Sequence, residues 1–321
     1  MKTRVRNLAY FVAAAEHRST TAAAKALNIS QPSISLAICE LEDILGQALF
    51  LRRNAKGLDL TPFGVRKLIE ARRLLSELES FELSPLDGDG ANLRGILVIA
   101  YMTTVGPLCL AGILRLFRDR HPQVVIHLKE GDLRETRERI AGGAAELAIT
   151  YDIGIGAAAA REILAEWQPY ALIPADHRLA ERSHVTLREI GSEPLILFGL
   201  PDSREFWLTA LEQAGVSPTI AFEVSSMEMV RSMVANHHGL AIMTARPAGD
   251  FSYDGKPLAC IPLTSELVPQ KVIALIPDPQ RMSRLAQAFM DCAREHFRKQ
   301  PPDPGRMVSI TELEAVHLMP E

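Results

Sequence analysis

Apolar and small residues recur at helical spacing on both sides of a short polar segment near the N-terminus. Ser19 or Thr20 is a suitable N-cap for a first helix over 21–27, because a side-chain oxygen there accepts hydrogen bonds from free backbone N–H groups. A second helix begins near Pro32, which is tolerated in a first turn whose N–H groups lack intrahelical partners. Its apolar positions fall at i, i+4, i+7 and i+11, which predicts one buried stripe. The stripe consists of Ile34, Ile38, Leu41 and Leu45.

Short polar side chains occupy the start of this second helix. Two short helices joined by a tight turn predict a helix-turn-helix, whose second helix enters the major groove of DNA and reaches base edges with its first residues. Glutamine can pair with adenine, serine hydroxyls can reach bases or phosphates, and an outward leucine can pack on a thymine methyl group. The alternative is that these residues only cap a helix in an all-α domain. The residues predicted to contact DNA here are Thr20, Ser30, Gln31, Pro32, Ser33, Ser35 and Leu36.

The segment that follows favours the DNA-binding interpretation. The second helix is predicted to end at Gly46, and an extended segment then carries Arg52 and Arg53 before a turn over 54–57 and a return over 58–60. A basic wing beside a recognition helix is placed to contact phosphates or the minor groove. Both arginines therefore join the residues predicted to contact DNA.

A longer helix is predicted over 62–83, with Thr61 as its N-cap and Pro62 at its first position. Its apolar residues repeat at three and four positions and form a narrow seam, which suits helix pairing between subunits. Packing of the seam against its own chain is the alternative. The predicted dimerisation residues are Leu68, Ala71, Leu75 and Leu78. Proline, glycine and aspartate then interrupt every periodicity over 84–94, which predicts a hinge.

Beyond the hinge the pattern changes to alternating strands and helices, which predicts βαβ units and a parallel sheet. The first set comprises strands over 96–101, 124–129 and 147–151 with helices over 107–120 and 133–141. The second set comprises strands over 194–198, 220–224 and 240–243 with helices over 203–214 and 227–236. The sets are connected by a crossover strand over 162–173, and the chain returns through a strand over 271–276 and a helix over 282–297.

Two α/β subdomains joined by crossing strands form a cleft, and ligands are expected at the C-terminal ends of the strands. Hydroxyls and free N–H groups at helix starts attract anions, and arginines pair with carboxylates in a forked geometry. The cleft is therefore predicted to bind a small anionic or polar metabolite, although each serine or threonine taken singly could be an ordinary N-cap. The predicted effector-binding residues are Thr103, Thr104, Tyr151, Asp152, Ser203, Arg204, Ser225, Ser226 and Arg246.

Charge is unevenly distributed along the 321 residues. Residues 1–70 carry ten lysines and arginines against six acidic residues, whereas the whole chain has a net charge of −4. A basic module joined to an acidic larger part suggests that the first part meets a polyanion. The four cysteines are far apart and form neither a metal framework nor a disulfide scaffold, which favours a reducing cytoplasm. No apolar stretch is long enough to span a bilayer, so no membrane partner is predicted.

An enzyme is not expected. The run GIGAAAA over 154–160 imitates a dinucleotide fingerprint, but an extended, proline-broken segment follows where a helix must hold the pyrophosphate. His237 and His238 are adjacent near a helix end and lack a clustered carboxylate or thiol, so no metal site is predicted. No GxSxG, P-loop or HExxH motif occurs, and neither catalytic residues nor a cofactor are predicted. The competing hypothesis is an α/β ligand-binding or enzymatic protein whose basic N-terminal module contacts protein.

The spaced string AAxxLxxSQPSxSxxIxxLExxLGxxLFxxRxxxxxxLTxxG, which begins at Ala23, resembles the winged helix-turn-helix of LysR-type transcriptional regulators. Two positions depart from it: the family usually has Arg, Lys or Gln where Leu36 stands, and often a basic residue in place of Cys39. Peroxide-sensing relatives carry a reactive cysteine in the loop that corresponds to 200–207, and this chain has none there. Thiol-based sensing is therefore not expected.

The resemblance implies an α/β fold with an N-terminal all-α winged helix-turn-helix and an effector domain of two Rossmann-like subdomains, as in periplasmic binding proteins. It implies a DNA-binding regulator that responds to a small molecule, pairs through its linker helix and forms a homodimer or homotetramer. The expected boundaries are 1–61 for the DNA-binding domain, 62–83 for the linker helix, 84–94 for the hinge, 95–300 for the effector domain and 301–321 for a tail without a clear counterpart.

Overall fold

The computed structural model describes residues 4–51, 58–83, 93–156, 160–264, 267–279 and 282–299. Arg52 and Arg53, most of the predicted hinge over 84–94 and the tail over 301–321 lie outside the described residues. The N-terminal unit consists of α1 (Val5–His17), α2 (Thr20–Ala26), α3 (Gln31–Leu45), β1 (Phe50–Leu51), β2 (Asp59–Leu60) and α4 (Pro62–Leu83).

The helix boundaries of the N-terminal unit follow from its capping residues. The Ser19 hydroxyl accepts a hydrogen bond from the backbone N–H of Ala22 at 3.2 Å and starts α2. Asn28 turns the chain in the left-handed region at φ 54°, which asparagine tolerates better than most residues. Gly46 closes α3 at φ 69°, where glycine has no steric penalty. The helix-turn-helix predicted from the sequence is confirmed.

Helices α1 to α3 enclose one small apolar core. Phe11 is fully buried, and its ring meets the ring of Phe50 edge to face, with centroids 5.5 Å apart. Ile34 and Leu41 from the predicted stripe of α3 are buried in the same cluster, together with the small side chain of Ala23 on α2. Small residues on α2 allow the two helices of the motif to approach closely.

Hydrogen bonds fix the path from α3 through the wing strands to α4. The Glu42 carboxylate accepts hydrogen bonds from the backbone N–H groups of Leu49 at 2.7 Å and Phe50 at 3.3 Å. β1 and β2 pair antiparallel. The Thr61 hydroxyl accepts a hydrogen bond from the N–H of Gly64 at 2.9 Å, so Thr61 caps α4 as predicted.

Only part of the predicted dimerisation seam on α4 is open to a second subunit. Leu68 and Ala71 are 7% and 2% exposed and lie in the same core as Phe11, because α4 packs against α1. These two side chains pack within their own chain, which corrects that part of the prediction. Leu75 and Leu78 are half-buried.

The rest of the chain forms two subdomains. The chain first enters the first subdomain and forms β3 (Gly95–Met102), α5 (Gly106–Arg120), β4 (Val124–Gly131), α6 (Leu133–Ala141), β5 (Leu147–Tyr151) and β6 (Ala160–Trp167) there. Those of the second subdomain are β7 (Tyr170–Pro174), α7 (Leu187–Gly191), β8 (Leu195–Phe198), α8 (Ser203–Gln213), β9 (Ile220–Val224), α9 (Met227–Ala235), β10 (Ala241–Met243) and β11 (Leu258–Pro262). The chain returns through β12 (Gln270–Ile276) and α10 (Arg284–Lys299).

The first subdomain contains a five-stranded sheet in the order β4-β3-β5-β12-β6. β3 pairs in parallel with β4 and β5, as βαβ units require. β12 is antiparallel to both of its neighbours, β5 and β6. The parallel arrangement predicted for the βαβ units is therefore right for β3, β4 and β5. β6 runs in the same direction as these three strands, and β12 alone is reversed, because it enters from the second subdomain in the opposite direction.

The second subdomain contains a three-stranded sheet in the order β10-β7-β11, with both pairs antiparallel, and the parallel pair β8-β9. The crossover strand predicted over 162–173 is divided into β6 and β7, one in each sheet, so the chain changes subdomain at Gln168 and Pro169. α7 and β11 were not predicted. The Thr186 and Glu189 side chains form a reciprocal capping box on α7, a local signal that could have predicted this helix.

The two subdomains share one continuous apolar cluster that includes residues from both sheets. The rings of Tyr151, at the end of β5, and Trp167, at the end of β6, meet edge to face at 5.9 Å, and Tyr170 at the start of β7 is buried in the same cluster. The ends of β5 and β6 and the start of β7 are thereby packed together in the apolar cluster beside the cleft. Among the described helices, none is long and apolar enough to cross a membrane.

Candidate nucleic-acid interface and ligand cleft

The first turn of α3 presents a cluster of hydrogen-bonded polar side chains at the surface. Gln31 Nε2 donates to Thr20 Oγ1 at 3.1 Å and to Ser35 Oγ at 2.8 Å. The hydroxyl oxygens of Ser30 and Ser33 lie 2.7 Å apart. Ser30 stands at the N-cap position as predicted, but its side chain binds Ser33 rather than a backbone N–H of the helix. The structure thus brings five of the predicted DNA-contacting residues together and ties α2 to α3 through them.

The exposed face of α3 continues from this cluster with uncharged side chains. Leu36 is 62% exposed, which excludes packing against a neighbouring helix. Pro32 and Cys39 are exposed as well. Residues 31–39 contain no charged side chain, so attraction to phosphates must come from other parts of the N-terminal unit.

The wing is anchored to the helix-turn-helix at both of its ends. Glu42 holds the start of β1, and the N–H of Leu58 donates to the carbonyl of Arg18 at 2.9 Å in the turn between α1 and α2. Arg52 and Arg53 belong to the segment between the two wing strands and lie outside the described residues. Their role in DNA contact remains a prediction.

On the first-subdomain side of the cleft, Thr104 is 5% exposed and forms a hydrogen bond with buried Tyr151. Burial raises the pKa of Tyr151 above its ordinary value, so its hydroxyl stays protonated. Thr103 turns to the Glu130 carboxylate, to which its hydroxyl donates. Asp152 forms an ion pair with Arg161 at 2.6 Å. Thr104 and Tyr151 therefore lie together, whereas Thr103 and Asp152 have partners of their own.

On the second-subdomain side, Ser225 and Ser226 line a cavity of about 340 Å³ together with Glu223. Ser226 Oγ accepts from the N–H of Met229 at 3.2 Å, as an N-cap of α9 does. Arg204 forms an ion pair with Glu223 at 3.0 Å. The N-cap alternative thus applies to Ser226 but not to Ser225, for which no cap bond occurs in the described part of the chain. Ser203, the first residue of α8, is 7% exposed.

A larger cavity of about 750 Å³ lies between the subdomains and is lined by none of the predicted residues. Its lining includes Arg137 on α6, Gly154 after β5, Asp202 before α8, and Phe206 on α8. Arg137 and Asp202 form an ion pair that joins the two subdomains. The sequence analysis did not predict Arg137 or Asp202 as site residues. The one local signal was the position of Asp202 directly before the predicted Ser203.

Arg246 belongs to a network of side chains around the loop that follows β10. It forms an ion pair with Asp250 at 2.9 Å, and the Cys260 thiol donates to the other oxygen of Asp250 at 3.3 Å. Arg231, only 4% exposed, donates to the carbonyls of Gly249 at 2.6 Å and Phe251 at 2.9 Å, which holds the same loop. The predicted Arg246 thus has an acidic partner within its own loop.

Two of the four thiols are unsuited to peroxide chemistry. Burial raises the pKa of Cys109 and of Cys260 to about 12, so neither forms a thiolate at neutral pH. The thiolate is the form that reacts with oxidants. This agrees with the absence of cysteine from residues 200–207.

Comparison with known protein families decides the identity. Residues 5–65 match the model of the bacterial regulatory helix-turn-helix protein, lysR family, and residues 90–298 match that of the LysR substrate binding domain. The chain belongs to the LysR family of transcriptional regulators. It is therefore a DNA-binding regulator with a substrate-binding domain and not an enzyme, and the effector-responsive function predicted from the sequence is confirmed.

Individual relatives of this LysR-family regulator span most of the chain. It is 32% identical over 228 residues to the HTH-type transcriptional regulator CysB of Burkholderia cenocepacia, covering 70% of this chain and 72% of that protein. The crystal structure of HinK, a LysR family transcriptional regulator from Pseudomonas aeruginosa, is 33% identical with a TM-score of 0.59 and covers 91% of this chain and 97% of that one. A full-length OxyR from Pseudomonas aeruginosa has a TM-score of 0.69 at 22% identity, covers 91% of this chain and 98% of that one, and shows the shared fold.

Proposed function

We propose that the LysR-family regulator reads its DNA target with the first turn of α3 and changes promoter activity when a small polar or anionic molecule occupies the cleft between its subdomains. The observation that carries the first half is that Gln31 and Ser33 are exposed at the start of α3 and are hydrogen-bonded to the neighbouring polar side chains, Gln31 to Ser35 and Ser33 to Ser30. Polar side chains at the start of the second helix of such a motif reach base edges in the major groove. Because its ligand is genomic DNA, the protein is proposed to work in the cytoplasm.

The base-reading role is tested with a matched pair of glutamine substitutions. Gln31→Ala removes a side chain of the cluster, whereas Gln47→Ala makes the same chemical change on an exposed residue just after α3. In titrations with a DNA fragment that the protein selects and with random DNA, Gln31→Ala should weaken selected binding by about tenfold and random binding much less. Gln47→Ala should leave the ratio unchanged. Equal losses of Gln31→Ala on both DNAs would reject base reading.

Thr104 and Arg246 carry the effector half of the proposal. Thr104 is nearly buried next to Tyr151 at the cleft, and Arg246 is held in a loop that follows β10. The set of hydroxyls and arginines favours a carboxylate or another small anion. The predicted residues Thr103, Asp152, Ser203, Arg204, Ser225 and Ser226 belong to the same proposal.

Thermal shift assays of the full chain with a panel of short carboxylic acids, sulfate and phosphate test the cleft. At least one of these anions should raise the unfolding midpoint, because a ligand that binds only the native state stabilises it. Thr104→Val removes one hydroxyl at nearly constant volume and should abolish that shift while leaving ligand-free DNA binding intact. A shift of equal size in Thr104→Val would show that the anion binds elsewhere.

We also propose that α4 pairs two subunits through the apolar side chains that its own chain leaves open. Leu75 and Leu78 are half-buried, and Val65 and Leu74 are 41% and 45% exposed. Leu74→Glu should therefore shift the particle mass measured by light scattering toward the monomer. The proposed division of the chain is 1–61, 62–83, 84–94, 95–300 and 301–321, and the choice between homodimer and homotetramer follows from the same mass measurement.

A further inference from the structure

Helix α6 is a short, firmly packed element of the first subdomain. Asp132 and Glu135 form a reciprocal capping box at its N-terminus. Leu133, Thr136 and Ile140 on one face are buried against the sheet, at 1%, 0% and 5% exposure. A nine-residue helix held by its cap and by one complete buried face moves with its sheet as a unit.

The exposed side of α6 reaches the second subdomain. The Arg137 guanidinium forms an ion pair with Asp202 at the start of α8 and also donates to the carbonyl of Ile153 at 3.1 Å. Both side chains are about one quarter exposed, at 26% and 21%. This ion pair lines the larger cavity, so any movement of the second subdomain relative to the first acts on Arg137.

The C-terminal end of the same helix contacts the DNA-binding unit. Arg72 on α4 donates from Nη1 to the carbonyl of Gly142, the C-cap of α6, at 2.6 Å. Its other amino group lies 3.0 Å from a carboxylate oxygen of Glu16 on α1. A cation at a helix C-terminus is favoured by the helix dipole and by the unpaired last carbonyls. Arg72 on the linker helix α4 thus contacts both α1 of the DNA-binding unit and the C-terminal end of α6 in the effector domain.

Close backbone packing supports this junction. Gly143 follows Gly142 at φ 63°, and a Cβ atom there would lie 3.1 Å from the Cα of Ile69 on α4. A glycine is therefore needed both for the backbone conformation and for the approach of the turn to the linker helix.

We propose that α6 is the element that couples the contact between the two subdomains to the DNA-binding unit, with Arg137 and Asp202 at one end and Arg72 and Glu16 at the other. The proposal rests on the proposed function, because it assumes that the N-terminal unit binds DNA. The partners are 65 residues apart in sequence in the Arg137–Asp202 pair and 56 apart in the Arg72–Glu16 pair, and both pairs are connected to the same nine-residue helix. Breaking the Arg137–Asp202 pair frees the second subdomain to change its angle, and Arg72 transmits the resulting strain on α6 to α4 and α1.

A double-mutant cycle tests the coupling without an identified effector. Asp202→Asn removes the charge that holds Arg137 and keeps a residue type that tolerates the left-handed backbone at φ 64°. Arg72→Gln removes the contacts with Gly142 and Glu16. The control Arg178→Gln breaks an ion pair of 2.7 Å with Glu193 that lies entirely within the second subdomain. Each full-length variant is titrated with a DNA fragment that the wild type has selected from a random pool.

Asp202→Asn should change the Kd for that DNA by about threefold to fivefold, the effect of one partly shielded ion pair. In the Arg72→Gln background the same substitution should change Kd by no more than about 1.5-fold, because the connection is already broken. Arg178→Gln should have no effect in either background. Equal effects of Asp202→Asn in both backgrounds, or no effect in either, would overturn the proposal.

Two further measurements keep the result unambiguous. Gly143→Ala should separate α6 from α4 by a steric clash while Arg72 stays intact. If Asp202→Asn then has the same small effect on Kd in this background as in the Arg72→Gln background, the loss of the Arg72 charge is excluded as the cause. Hydrogen exchange over 66–72 should rise in Asp202→Asn, and an unchanged rate would also overturn the coupling. If the wild type selects no DNA sequence, the proposed function fails, and the exchange measurement alone still decides whether α6 connects the two ends.

Discussion

Replacement of Gly64 by alanine should disrupt the junction between the wing and the linker helix. A Cβ atom at this position would lie 2.0 Å from the carbonyl oxygen of Leu49, whereas ordinary contacts begin at 3.4 Å. Backbone atoms must therefore move, and the same carbonyl accepts a hydrogen bond from the N–H of Thr61 at 2.9 Å. Forced overpacking costs about 1–3 kcal/mol and a lost hydrogen bond about 1 kcal/mol, against a gain of about 1 kcal/mol for alanine in a helix. The expected net loss is about 1–3 kcal/mol.

Hydrogen exchange of the full chain measures this loss locally. Amides of α1 and α3 should exchange about 5- to 150-fold faster in Gly64→Ala, since about 1.4 kcal/mol corresponds to a factor of ten. Gly156→Ala is the matched control, because a Cβ there meets no atom within 4 Å and the backbone is not in the left-handed region. Exchange in Gly64→Ala that stays at the wild-type rate, or changes no more than in the control, would refute the steric argument.

Three other substitutions test separate parts of the account. Leu36→Arg should leave stability unchanged, because the side chain is 62% exposed, and should shift the preferred half-site toward guanine in a randomised-site selection; an unaltered preference would contradict its groove-facing role. Burial raises the pKa of Glu146 despite a hydrogen bond from Ser283, so stability should fall as pH rises from about 4.3 toward the raised value. In Glu146→Gln, the free energy of unfolding in urea should depend less on pH than in the wild type. A pH dependence equal to that of the wild type would show that the buried Glu146 is not the cause of the fall. Arg231→Gln should leave two loop carbonyls unpaired, cost about 1–3 kcal/mol and accelerate exchange over 249–251, whereas wild-type exchange there would show that Arg231 does not hold the loop.

Helix-capping residues and the apolar periodicity of α3 were sufficient to predict the fold of the N-terminal unit from the sequence. Ser19 and Thr61 stand at positions where a hydroxyl caps a helix, and both do so. The stripe that begins at Ile34 faces the core because a helix of this period must bury its apolar side. The seam on α4 was only partly predictable, because periodicity identifies an apolar face but not its partner. Leu68 and Ala71 pack on α1 of their own chain.

Two features of the effector domain depend on contacts between distant parts of the chain and could not be predicted from local sequence patterns. Alternating strands and helices predicted two α/β subdomains, but the antiparallel direction of β12 depends on a return from the second subdomain that no local pattern encodes. The Arg137–Asp202 ion pair joins residues 65 positions apart. Arg137 stands in a helix with many charged residues, so its sequence context does not distinguish it from a solvated arginine. Tertiary geometry alone reveals the pair.

The full-length protein can be used to select DNA from a random-sequence pool, and the selected fragments can be footprinted at several salt concentrations. This experiment tests whether α3 reads DNA in a paired regulator. We expect an enriched pair of half-sites separated by about one helical turn or a multiple of it, because paired subunits present two copies of α3. The affinity for the selected DNA should also fall steeply as the salt concentration rises, as phosphate contacts require. A pool that stays random after selection, or protection of a single site without a second half-site, would contradict the claim that α3 reads DNA in a paired regulator.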